Sequence, residues 1–119
     1  MIPNEPTRIR QTVETVLKQL VGGSYQAIEE LTRTKQLTSA QIEAAVAEYG
    51  GTLIMPPDAV LAKLDVIQVR GEQPPRYSVR CDLYTSEEGR SDLTLELTLI
   101  DNNPNAAQLE VEIDGIHVL

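Results

Sequence analysis

The sequence predicts an α+β domain, with three N-terminal helices packed on one face of a four- or five-stranded antiparallel meander sheet. Three observations predict it. Apolar residues recur three and four apart up to Tyr49, then at every second position from Leu64 onward. Gly50-Gly51 stand where the period changes. Beyond them the segments are joined by short runs of Gly, Pro, Asn and Asp, which make neighbouring strands antiparallel. The 119 residues are expected to form a single domain, residues 1–119, large enough to bury a core without disulfides or metal.

Each element follows from local chemistry. "PTRIRQTVETVLKQLVGG" is the first helix: Pro6 and Thr7 suit its start, and Ile9, Val13, Val16, Leu17 and Leu20 form one stripe. Gly22-Gly23 stop it. Ser24 is expected to cap a second helix with Tyr25, Ile28 and Leu31 inward. "TSAQ" from Thr38 reads as a capping box opening a third, with Ile42, Ala45, Val46 and Tyr49 on one side and left-handed backbone at Gly50-Gly51.

"TLIM" is a short strand, and "PPDAVLAKL" a turn with one helical turn after Pro57. "LDVIQV", "RYSVRCDLYT", "SDLTLELTLI" and "AQLEVEIDGIHVL" are strands. Alternation points Tyr77, Val79, Cys81, Leu83, Leu93, Leu95, Leu97, Leu99, Leu109, Val111 and Ile113 at the helices. It points Arg80, Asp82, Tyr84, Thr94, Glu96, Thr98, Glu110 and Glu112 away from them.

Composition narrows function. The formal charge is −8, and residues 37–119 carry fourteen acidic against five basic side chains. Such a surface repels nucleic acid and anionic lipid and favours a basic partner. No segment has membrane-spanning length and no signal pattern opens the chain, so the expected location is the cytoplasm. The core holds no Phe or Trp. Cys81, the one cysteine, is expected as a buried inert thiol; one Cys and one His argue against a structural zinc site, and no cofactor is expected.

Four groups of residues invite a chemical reading. Asp101, Asn103, Asn105 and Glu112 match positions 1, 3, 5 and 12 of a helix–loop–helix calcium pattern. Pro104, Ala106 and the flanking strands oppose that reading and favour a plain hairpin turn. His117, the sole histidine, is a candidate general acid–base if Asp114 or Asp82 orients it; the plainer reading is a position on the last strand. Glu87, Glu88, Arg90 and Asp92 make a charged hairpin, with Arg90 expected to pair with Glu88. Arg80 and Glu96 are expected to pair across strands, with Asp82 and Tyr84 on the same face.

"EYGGTLIMPPDAVLAKLDVIQV", "YSVRCDLYTSEEGRSDLTLELTL" and "VEIDGIHVL" together resemble a family of small, functionally uncharacterised bacterial proteins, known as a domain of unknown function. The resemblance spans roughly residues 8–119 and carries no catalytic assignment. More distantly, the order of helices then sheet is similar to the nuclear transport factor 2-like and cystatin-like architectures. That similarity implies a pocket between helices and sheet, although the absence of Phe and Trp argues against a large aromatic-lined one.

Function is therefore expected to be non-enzymatic protein interaction. The contact surface would comprise Arg80, Asp82, Tyr84, Glu87, Glu88, Arg90, Asp92, Glu96, Glu110 and Glu112, and the partner would be a basic protein. The alternative is a small-ligand-binding or enzymatic domain with a pocket between helices and sheet. Self-association through sheet faces or edges is a further reading.

Overall fold

The computed structural model describes residues 4–32 and 37–118; Leu119, with which the resemblance ends, lies outside them. Helix α1 runs Glu5–Val21, α2 Tyr25–Leu31, α3 Ser39–Tyr49 and α4 Asp58–Leu61. The strands are β1 Leu53–Ile54, β2 Asp65–Val69, β3 Arg76–Thr85, β4 Gly89–Ile100 and β5 Glu110–Val118. Every ladder is antiparallel. β2, β3, β4 and β5 form the expected meander, and β1 joins the same side of β3 as β2, at the opposite end.

The helices start and stop for identifiable reasons. Asn4 accepts the Thr7 amide at 3.0 Å, and Glu5 favours the positive end of α1. The α3 capping box is complete: the Gln41 amide donates to Thr38 Oγ1 at 3.2 Å, and Gln41 Oε1 accepts the Thr38 amide at 2.9 Å. Ser24 does not cap α2 with its side chain, and Leu31 is exposed, so the short α2 buries only Ile28. A helix of seven residues has barely two turns, which leaves little room for an inward stripe.

The core joins the α1 stripe, Ile28 and Ile42 to the inward rows of the sheet: Tyr77, Val79, Cys81 and Leu83 on β3, Leu93 to Leu99 on β4, and Val111, Ile113 and Ile116 on β5. Two departures from simple alternation shape the sheet. Register shifts between Asp82 and Tyr84 against β4, and again on β5 where Glu96 faces Gly115 but Leu97 faces Ile113. Asp114 is the extra residue, so inward positions pass from Val111 and Ile113 to Ile116. Outward positions are also less open than alternation suggests: Thr94, Ile100 and Glu112 are buried.

The core side of α1 also holds a charge. Arg8 is only 4% exposed and grips the β4–β5 connection. Its guanidinium donates to Asp101 Oδ2 and Oδ1 at 2.9 and 2.8 Å, to Asn103 O at 2.9 Å and to Ala106 O at 2.9 Å. Thr12 continues the seam, its hydroxyl accepting the Leu109 amide at 2.9 Å. The loop joins antiparallel β4 and β5 as the hairpin reading expects: both oxygens of Asp101 face Arg8, and Glu112 lies on β5 with Arg76 3.9 Å away.

Candidate functional site

Register assembles the outward face of the sheet. Rows of facing residues cross it: Asp65, Arg80, Glu96 and Gly115; Ile67, Ser78, Thr98 and Glu112; Val69, Arg76, Ile100 and Glu110; and Asp82, Thr94 and His117. Arg80, Asp82, Tyr84, Glu96, Glu110 and Glu112, expected together, do share this face, with Tyr84 between Ile54 and Arg90.

At its centre, Glu96 bridges Arg80 and His117. Arg80 Nε donates to Glu96 Oε2 at 3.2 Å, and His117 Nε2 lies 2.7 Å from Oε1. The partner of His117 is thus Glu96, not Asp114 or Asp82; the bulge at Asp114 carries Asp114 to Thr98, which donates to it at 2.7 Å. Gly115 makes the contact feasible. A Cβ there would fall 2.7 Å from the imidazole, so a bare Cα lets the ring lie along the strand to reach Glu96. The broken alternation in "IDGIHV" is the sequence signal for this arrangement.

Guanidiniums interleave the remaining carboxylates. Arg76 is 3.9 Å from Glu112 and 3.9 Å from Glu72, and Arg90 is 4.0 Å from Asp82. Arg90 therefore lies against Asp82 rather than Glu88, because Glu88 is drawn to α3. Carboxylates outnumber guanidiniums on the face: Asp65, Asp82, Glu96, Glu110, Glu112 and Asp114 stand against Arg76, Arg80 and Arg90. Ile67 is 64% exposed at the β2 edge, beside half-open Val69.

The Thr85–Asp92 hairpin is tied inward. Glu87 Oε1 accepts the Thr52 amide at 2.8 Å and Oε2 accepts the Thr52 hydroxyl at 3.1 Å. Those bonds, the Thr52 amide foremost, hold the Glu87 carboxyl below its usual pKa. Tyr49 donates to Glu88 Oε1 at 2.8 Å and accepts the Asp92 amide at 3.0 Å. Gly51, at φ +92°, brings the backbone under Glu87, where a Cβ would come within 3.2 Å of the carboxylate. Glu87 and Glu88 thus anchor the hairpin to the end of α3. Ser91 supports the bend, donating to Leu83 O at 2.6 Å.

On the opposite face, α1, α4, β2 and β3 enclose a pocket of about 320 Å³. Ile9, Leu61, Leu64 and Val66 form apolar wall, while Glu5, Arg10, Gln68 and Tyr77 supply polar groups. Tyr77 is buried beside Glu5; burial first, and then that carboxylate, push its pKa well above the normal phenol range. Arg10 is held by Glu14 at 2.7 Å and by Asp58.

The family model described as a domain of unknown function, DUF7668, matches residues 17–119. The chain belongs to this family. The DUF7668 match covers all five strands, α2, α3 and α4, and begins within α1. The outward sheet face lies wholly inside it, whereas Glu5, Arg8, Ile9 and Arg10 precede it. No curated protein and no solved structure gives a significant match to the chain. Among the described residues, no helix is long and apolar enough to cross a membrane, and no three His, Cys, Asp or Glu side chains gather as a metal site.

Proposed function

We propose that this chain is a non-enzymatic protein-interaction domain that docks a basic partner protein on the outward face of its sheet. One observation carries the reading: that face combines an excess of carboxylates with exposed Ile67 and Val69 at a strand edge. Acidic groups steer a basic partner and raise its association rate, while desolvation of the aliphatic edge and Tyr84 supplies affinity. Arg80 and His117 hold Glu96 in place, which lowers the entropy lost on docking.

Asp65→Lys with Glu110→Lys is the test, because both residues edge the face and neither is in the core. A basic protein captured from native extract by the wild type should associate more slowly with the double variant, with a flatter salt dependence. Ile67→Asp should weaken it separately, with the circular dichroism unchanged. A partner captured equally by all three proteins, or none at low salt, overturns the reading.

A second reading, small-ligand binding in the manner of nuclear transport factor 2-like domains, is supported by the pocket under α1. Its lining combines aliphatic side chains with a few polar groups, the usual composition of a ligand site.

A further inference from the structure

We propose that the pocket between α1, α4, β2 and β3 binds a small primary ammonium carrying a short aliphatic body. The proposal rests on the ligand-binding reading of this pocket and adds the chemical class of the ligand. The volume, about 320 Å³, sits at the lower end of ligand sites, so the body must be small. Ile9, Leu61, Leu64 and Val66 offer it an aliphatic surface with no aromatic face other than Tyr77.

The sign of the charge follows from the polar groups. Arg10 is the guanidinium of the lining, and Glu14 and Asp58 both bind it, so its positive charge is more than balanced. Glu5 is the carboxylate of the lining and lies beside Tyr77. A carboxylate has room for several more donors. Tyr77 stays a neutral phenol, and Gln68 contributes a neutral amide. Glu5, Tyr77 and Gln68 thus stand as oxygen-bearing groups beside a guanidinium already bound to two carboxylates. An ammonium, with three donors and no acceptor, satisfies them. A carboxylate or phosphate would meet Glu5 there, beside an Arg10 already bound to Glu14 and Asp58.

Titration of the whole chain with hexylammonium, 1-hexanol and hexanoate, followed by the methyl resonances of Ile9, Leu61, Leu64 and Val66, tests this. Hexylammonium should give saturable shifts with a Kd about tenfold lower than hexanol, the scale of one charge-assisted hydrogen bond in a half-open site. Hexanoate should not saturate. Glu5→Gln, which removes the charge with little change of shape, should bring hexylammonium to the level of hexanol. Ala62→Trp, at the exposed rim, should abolish the shifts for both. Hexanol or hexanoate binding as tightly as hexylammonium, or indifference to Glu5→Gln, overturns the ammonium assignment while leaving a ligand pocket. No saturable shift with any of the three overturns both.

Discussion

Arg8 on α1 and Asp101 at the end of β4 face each other across two nearly parallel N–H···O bonds of 2.9 and 2.8 Å. Both side chains are almost wholly buried, and two backbone carbonyls take the remaining guanidinium donors that face the loop. The bonds to Asp101 hold Arg8 even more firmly protonated than usual. A planar fork suits this site, where an ammonium could not serve Asp101, Asn103 and Ala106 at once.

Removing Arg8 leaves a buried carboxylate and the Ala106 carbonyl without the donors it supplied, while Asn103 O keeps the Ala106 amide at 3.0 Å. Arg8→Ala should therefore cost about 3–5 kcal/mol in urea unfolding. Arg8→Lys should recover only part of it. The double variant with Asp101→Ala should cost clearly less than the sum of the two single changes. An Arg8→Ala protein within about 0.5 kcal/mol of wild type would mean that the loop is held by other contacts.

Leu97 and Thr98 are sequence neighbours on opposite faces of β4. Leu97 is fully buried in the core, so Leu97→Ala should cost about 2–5 kcal/mol. Thr98 faces outward and loses one exposed bond to Asp114, so Thr98→Ala should cost about 1 kcal/mol or less. Denaturation midpoints compare the two directly; equal effects would mean that the outward face is covered as well.

Gly115→Ala should displace the His117 ring, because the new Cβ would stand 2.7 Å from it. The expected readout is a changed His117 imidazole resonance and loss of its contact with Glu96. Stability should fall by no more than about 1 kcal/mol, since the pair is half exposed. An unchanged imidazole spectrum would show that the ring does not depend on the bare Cα.

The Cys81 thiol is pushed up to about 11 by burial and, secondarily, by the Asp82 charge. Its value in the folded chain thus exceeds the unfolded one. Burial of the neutral thiol stabilises the fold fully below the unfolded value, and that contribution is lost as pH rises through the folded value. Stability should decline between roughly pH 9 and 11, and the decline should be shallower in Cys81→Val. At pH 8 the native thiol should react with a disulfide reagent far more slowly than the urea-unfolded chain.

Period and punctuation in the sequence determined much of this protein. The stripe from Ile9 to Leu20, the Thr38 capping box, the turn at Gly50-Gly51 and the Leu93–Leu99 alternation are properties of neighbouring residues, so they can be read without knowing what packs where. The Arg80–Glu96 pair was also readable, because the connection between their strands is short enough to constrain register. Only the tertiary structure decided the rest. Arg8 meets a partner 93 residues away, and nothing in an otherwise ordinary helix start distinguishes it from a solvated arginine. Glu87 and Glu88 look like a free charged turn until α3 arrives beside them. One extra residue at Asp114 turns His117 outward toward Glu96, since side-chain direction in a strand reverses with every residue inserted. Local periodicity sets which face a residue takes; the register and packing of distant elements set what it meets there.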